Sequence, residues 1–371
     1  MRGRPDGTLA GVDPASLRAA FPVFERLAYL NAGTCGPVPQ EAVRAQAQAA
    51  EAGARAGRAA AYFEQIQVLR ERQRAAYAAL VGSRPEDIAL QTSTSEGIVR
   101  VLLGLDLRAG DEILTVADEH PGLLGPLAAA RRRLGLTVRT ASLAELPFHV
   151  GPRTRLVACS HVAWMTGALA PAALAEVGRE VPVLLDGAQG AGAVPVDAAG
   201  LGCAFYAAAG QKWLCGPVGT GFLYVAPAWR ERLAAVGPTY LALADPASGL
   251  DAGPHGDARA HDASALGLEA LAGAAAAFVT LAEAGWATVH RRAIGLAGAL
   301  AEALEGEGRT VAPRGESTLV AWEDPTPEQT SERLAQAGVI VRGLPGGMHL
   351  RASVGAWNDE DDLQRLLAGL A

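Results

Sequence analysis

Lysine is almost missing from this chain. Lys and Arg together number 32, and all but Lys212 are arginine. Cysteine is scarce too: Cys35, Cys159, Cys203 and Cys215 are scattered, with no CxxC spacing. That argues against a zinc site and against a disulfide framework, so no metal is expected. Positive charge is not concentrated anywhere. The net charge is −7, and without a basic stripe neither nucleic acid nor an anionic membrane is an expected partner. The opening "MRGRPDGTLAGVDP" lacks the apolar core of a signal peptide. The most apolar long run, Ala263 to Val289, carries Glu269 and Glu283 at helix-like spacing and reads as a buried or amphipathic helix, not a membrane span. A cytoplasmic protein is the expectation.

What is present then gains weight. Abundant Ala, Gly and Arg fit a GC-rich genome, in which arginine replaces lysine wherever only a positive charge is needed. Arginine stays protonated, whereas lysine can lose its proton and act as an amine nucleophile. The lysine that resisted replacement, in "AAAGQKWLCGPVGTGFLYV" (207–225), is therefore a candidate for Schiff-base chemistry.

The pattern along the chain is α/β. Residues 13–30 read as a helix running into an extended "AYLNAG", and residues 40–80 as one long helix. Strand candidates follow at 87–93, 111–117, 136–142, 154–162, 181–186, 203–209 and 219–225, alternating with helical patterns. Several are apolar throughout, as in a sheet covered on both faces. The alternation predicts βαβ units and a mainly parallel seven-stranded sheet in a large domain over 27–240. A Gly/Pro/Asp-rich stretch at 243–263 leads into a long Ala-rich helix. Strands at "STLVAWE" and "IVRGL" and helices at "TPEQTSERLAQAG" and "DEDDLQRLLAGL" complete a smaller α+β domain, assigned to 1–26 and 241–371.

Ligands in such sheets bind beyond the carboxyl ends of the strands. Asp186 ends the apolar "VPVLL", where a carboxylate is costly unless a cation meets it. Thr94 and Ser95 open a helix after the first strand of the set, where free N–H groups and the dipole suit a phosphate; standing alone they would be an ordinary cap. His120 follows the next strand in "ADEHPG". A lysine, a phosphate cradle, a carboxylate and an aromatic ring together are what pyridoxal phosphate (PLP) requires.

The order of these pieces over about residues 27–360 resembles the class V aminotransferase-type, fold-type I PLP enzymes, in the group of cysteine desulfurases, cystine C–S lyases and isopenicillin N epimerase-like proteins. "YLNAGTCGPVP", "TSTSEG", "DEHPG", "SHVAWMTG", "DGAQGAGAVPVD" and "GQKWLCGPVGTGFLYV" carry the resemblance. It implies that Lys212 forms the Schiff base and moves the proton, and that Asp186 pairs with the pyridinium nitrogen. It places Ala188 under the ring, Gln189 on the phenolic oxygen and His120 on the opposite face. Thr94 and Ser95 would hold the phosphate with help from Gln211, which stands where the family usually has histidine. Ala209 stands where it usually has serine, so one phosphate contact is expected to be lost. Ser264 matches a position that reaches the partner subunit's phosphate, implying a homodimer with active sites at the interface.

The same resemblance makes Arg351, in "MHLRASVGAWN", the ligand of the substrate α-carboxylate, with Arg342 as a second contact and Asn31 lining the pocket. Cysteine desulfurases need a mobile-loop cysteine between the two arginines; here the segment is the short "VRGLPGGMHLR". Trp164, in "HVAW" where desulfurases read "HVSN", resembles the cystine lyases and contributes to the expected cofactor site. The expected reaction is β-elimination from cystine or another S-substituted cysteine, giving pyruvate, ammonia and a sulfur product. Epimerase or aminotransferase chemistry on the same scaffold is the alternative. A desulfurase, or a non-catalytic relative, is further off.

Overall fold

A computed structural model describes residues 13–371, so the expectations resting on residues 1–12 lie outside it. The short helix α1 (Pro14–Ala19) and the strand β1 (Ala28–Tyr29) come first. Two helices, α2 (Gln40–Ala56) and α3 (Ala60–Leu80), follow where one was expected over 40–80. Gly57 ends α2 with φ at 75°, a left-handed conformation that an L side chain resists.

Six strands and their helices succeed one another: β2 (Ile88–Gln91), α4 (Thr94–Gly104), β3 (Glu112–Val116), α5 (Pro121–Leu134), β4 (Thr137–Ala141), β5 (Thr154–Ser160), α6 (Leu174–Val177), β6 (Val183–Asp186) and β7 (Phe205–Ala209). With β8 (Gly221–Val225) they form a seven-stranded sheet in the order β2-β8-β7-β6-β5-β3-β4. All pairs are parallel except those of β8, which runs against both neighbours. Every residue of β2, β3, β6, β7 and β8 is buried, which explains their largely apolar sequences. One apolar cluster joins a sheet face to Tyr77 and Phe278; the other joins the opposite face to Ile98, Leu102, Leu123 and Leu127 of α4 and α5. β4, at the edge, is only partly covered.

The expected long Ala-rich helix is also two: α7 (Leu268–Glu283), packed on α2 and α3, and α8 (Trp286–Gly306). Gly285, with φ at 79°, separates them, and their axes differ by 80°. No single described helix is long and apolar enough to cross a membrane. The chain ends with β9 (Leu319–Glu323), α9 (Pro327–Gln336), β10 (Val339–Ile340), β11 (Arg342–Gly343), β12 (His349–Ser353) and α10 (Glu360–Leu370). "IVRGL" is thus two strands rather than one. β10 pairs with β1, whereas β11 joins the three-stranded sheet β11-β12-β9. Ala28 and Leu30 are buried in the core of this smaller layer, with Trp322, Leu300 and Leu366. The chain around β1 therefore leads directly from the small sheet toward the edge of the large one.

Candidate active site

β2 runs parallel to β7, because both oppose β8, so the carboxyl ends of the six parallel strands share one edge. Thr94 and Ser95 follow β2, His120 follows β3, Trp164 follows β5, Asp186 ends β6 and Lys212 follows β7. The topology brings these residues to one edge although they span more than a hundred positions.

Asp186 is buried, and its Oδ1 accepts the Ala188 N–H at 2.9 Å. Burial raises its pKa and the Lys212 charge opposes the rise. Lys212 is lowered to about 8, first by burial, then by the cationic Arg351 and Arg342, with Asp186 working the other way. An amine lowered this far is partly neutral near physiological pH. Its backbone is held from the side of β1: the Gly36 N–H donates to the Gln211 carbonyl at 2.8 Å. A Cβ on Gly36 would sit 2.0 Å from the Lys212 oxygen, so only glycine lets the two backbones approach this closely.

His120 caps α5, its Nδ1 accepting the Gly122 N–H at 3.0 Å. Its ring meets Trp164 edge to face, with centroids 5.1 Å apart. The Trp164 indole N–H donates to the Asp118 carbonyl at 2.8 Å, which fixes the pair. Burial, then the charges of Lys212, Arg342 and Arg351, push His120 down to about 4, so the imidazole is neutral at physiological pH.

The start of α4 is a reciprocal cap. Ser93 Oγ accepts the Glu96 N–H, and the Glu96 carboxylate accepts from the Thr92 N–H and hydroxyl, both at 2.7 Å. The N–H groups of Thr94 and Ser95 belong to the first turn, where no intrahelical acceptor exists. Ser95 Oγ donates to the Gly122 carbonyl at 3.0 Å, tying the starts of α4 and α5 together. Thr94 Oγ1 and Gln211 Oε1 are buried, and neither has a partner among the described residues.

Gln189 is committed on both sides. Its Nε2 donates to the Gly33 carbonyl at 2.8 Å, and its Oε1 accepts from the Trp213 indole at 2.9 Å. One N–H of its amide remains for a ligand. Gly33, Trp213 and Ser353 were not anticipated from sequence, and only the spatial packing reveals them. A Cβ on Gly33 would lie 2.7 Å from Ser353 Oγ, 2.9 Å from Gln189 Oε1 and 3.0 Å from Arg351 Nη2.

Arg351, in the middle of β12, has no solvent exposure. One Nη donates to the Trp164 carbonyl. Nε and the other Nη have no partner among the described residues. Burial and the nearby Arg342 lower it to about 9. Arg342 stands directly opposite in the β11–β12 register. It donates to Thr34 Oγ1 at 3.1 Å, and Thr34 donates in turn to Asn31 Oδ1 at 2.7 Å. Asn31 itself bridges to Ser353.

Ser264 lies elsewhere. It is exposed in a groove of about 760 Å³ with Arg58, Tyr62, Phe63 and Tyr240, and none of the other candidates lines that groove. The loop bearing it is anchored on the buried Asp262, which takes Arg70 at 2.6 Å and Arg74 at 2.8 Å and accepts the Leu90 N–H at 2.8 Å. Among the described residues, no cluster of His, Cys, Asp and Glu could hold a metal ion.

Comparison with known proteins yields three kinds of match. The aminotransferase class-V family profile matches residues 28–366. A probable cysteine desulfurase of Pseudomonas aeruginosa is 30% identical over 96% of this chain and 97% of its own length. The isopenicillin N epimerase of Streptomyces clavuligerus is 36% identical over 55% of the chain, which spans about half (54%) of that enzyme's length. A solved structure of a variant of C-DES, with glycine covalently linked to its PLP cofactor, superposes with a TM-score of 0.90 at 28% identity, covering 95% of this chain and 98% of that one. The cystine C–S lyase C-DES in complex with its product, cysteine persulfide, superposes with a TM-score of 0.88 at 27% identity, covering 94% and 98%.

Proposed function

The chain belongs to the class-V aminotransferase family, and from that premise we propose that it is a carbon–sulfur lyase acting on cystine or another S-substituted cysteine. It is a fold-type I enzyme and its cofactor is PLP. The edge described above fits that group chemically. It offers one amine, a buried carboxylate that needs a cation, a neutral ring at His120, and buried polar atoms of Thr94 and Gln211 that have no partner among the described residues. Lys212 would bear the cofactor, with Asp186 at the pyridine nitrogen, Ala188 and His120 on the two faces of the ring, Trp164 beside His120, and Gln189 at the phenolic oxygen. Thr94, Ser95 and Gln211 would hold the phosphate. When bound, PLP supplies an electron sink that stabilises negative charge at the substrate α-carbon.

The observation that carries the reading is Arg351. A fully buried guanidinium with two uncommitted donor atoms is costly unless an anion meets it. The planar fork suits a carboxylate, so an amino acid is the substrate class. With the carboxylate held by Arg351 and Arg342, the neutral Lys212 amine takes the α-proton. The Cβ–S bond then breaks, and the sulfur leaves with its electron pair. Hydrolysis of the released aminoacrylate gives pyruvate and ammonia.

Elimination rather than desulfuration is favoured by the turn between β11 and β12. Residues 343–348 contain no cysteine, and the turn is closed by the Leu344 N–H on the His349 carbonyl at 2.9 Å. Cys159, Cys203 and Cys215 are buried, and burial raises all three thiols. Epimerisation is the second reading, favoured by the 36% identity to the epimerase. A homodimer and a cytoplasmic setting belong to the same proposal, with Ser264 reaching the partner's phosphate. The test is Lys212→Ala: the PLP-loaded wild type should release pyruvate from L-cystine and the variant should not. Pyruvate release by the variant at the wild-type rate would refute the assignment.

A further inference from the structure

Arg342 and Arg351 face each other across β11 and β12. Like charges directly opposite on neighbouring strands repel. Arg351 cannot yield, being fully buried and fastened to the Trp164 carbonyl. Arg342 is only half-buried, and among the described residues its guanidinium hydrogen-bonds Thr34 Oγ1 alone. That hydroxyl is itself oriented: its proton goes to Asn31 Oδ1, leaving its lone pairs for Arg342. Asn31 is anchored through its bridge to Ser353, on the strand that carries Arg351. The two neighbours of Thr34 and Cys35 in this turn are fixed as well. Gly33 is packed against Gln189, Ser353 and Arg351, and Gly36 is bound to the Gln211 carbonyl.

We propose that Thr34 is a positioning residue for substrate recognition: its hydroxyl holds Arg342 beside Arg351, so that both guanidinium groups meet one substrate carboxylate. The proposal deepens the function above and rests on its carboxylate-binding reading. Without Thr34 Oγ1, repulsion from Arg351 drives Arg342 toward solvent, and each binding event must bring it back. The consequence falls on binding of the carboxylate and not on the cofactor, since the hydrogen bonds of Thr34 go to Asn31 and Arg342 and not to the residues assigned to the cofactor.

The experiment compares Thr34→Val, which keeps the shape and removes the hydroxyl, with Thr34→Ser, which restores it. The ligands are L-cystine and cystamine, the same disulfide without carboxylates. Binding is followed by the change in visible absorbance of the PLP-loaded protein and by KM and kcat for cystine, with Ki for cystamine. Thr34→Val should weaken cystine binding about tenfold, the loss of one hydrogen bond to a charged group, with kcat within about twofold. Cystamine binding and cofactor retention should not change, and Thr34→Ser should recover most of the loss. A merely structural role would weaken both ligands alike and loosen the cofactor, and that result overturns the proposal. So does a Thr34→Val enzyme with unchanged cystine binding. If the wild type binds cystamine as tightly as cystine, the carboxylate reading itself fails; if it prefers cystine and Thr34→Val keeps that preference in full, only the role of Thr34 fails.

Discussion

Replacing Arg351 with methionine separates stability from function. Methionine is unbranched, flexible and apolar, so it can occupy much of the stem's space without a charge. The guanidinium is fully buried, and burial, with the nearby Arg342, lowers its pKa to about 9. That drop corresponds to a disfavouring of the charged form on the order of 5 kcal/mol. Some of this is not recoverable. The variant loses the bond to the Trp164 carbonyl, about 1–3 kcal/mol, and packs imperfectly, about another 1 kcal/mol. A net gain of roughly 1–3 kcal/mol remains. Thermal unfolding of the apo-protein, followed by circular dichroism, should therefore move upward by roughly 1–4 °C. Activity should move the other way. Truncating one partner of a buried charge pair costs about 2–5 kcal/mol, so kcat/KM for the amino-acid substrate should fall by roughly 30- to 5,000-fold. Arg351→Lys keeps a charge but loses the fork and should fall on the same scale. A variant that unfolds earlier than wild type while keeping its kcat/KM would refute the reasoning, because Arg351 would then be a structural cation.

The remaining predictions concern the lysine, its counter-charge and the turn that holds its backbone. Lys212, lowered to about 8, gains its neutral form as pH rises through that value; reductive methylation of the apo-protein, mapped by peptide mass, should reach half-maximum near pH 8, and onset near pH 10 would contradict the lowering. Asp186→Asn can still accept the Ala188 N–H, so the protein should fold and retain PLP; turnover should drop about 10²–10³-fold, and near-normal turnover would remove Asp186 from its assigned place. Gly36→Ala puts a Cβ 2.0 Å from the Lys212 oxygen and should cost about 1–3 kcal/mol in chemical denaturation, with loss of bound PLP; an unaffected midpoint and full PLP content would mean that the contact relaxes freely.

The large sheet was legible because most of its strands, the edge strand β4 excepted, are buried on both faces and read as largely apolar runs. Each expected strand lies within two residues of the observed one, as "CAFYAAA" against Phe205–Ala209 illustrates. Lys212 was legible for a different reason: scarcity made it conspicuous. The helix breaks were not, since Gly57 and Gly285 sit in Ala- and Gly-rich stretches where a helical pattern continues through them. Strand β12 is inconspicuous because Leu350 and Ala352 are its apolar residues, and the arginine between them, though wholly buried, does not read as core. Gly33, Thr34 and Ser353 lie in stretches that the sequence singles out, but nothing in those stretches assigned them a role. Their roles arise when the turn after β1 meets β12, more than three hundred residues away, through the Asn31–Ser353 bridge, and no local pattern encodes that meeting.

The most direct measurement runs the PLP-loaded wild type with L-cystine in deuterated water and quantifies pyruvate, ammonia, sulfane sulfur and deuterium at Cα of the recovered cystine. A carbon–sulfur lyase yields pyruvate, ammonia and a persulfide product in equal amounts. Deuterium accumulating at Cα with no pyruvate would contradict elimination: Lys212 would remove and return the proton while the C–S bond stayed intact.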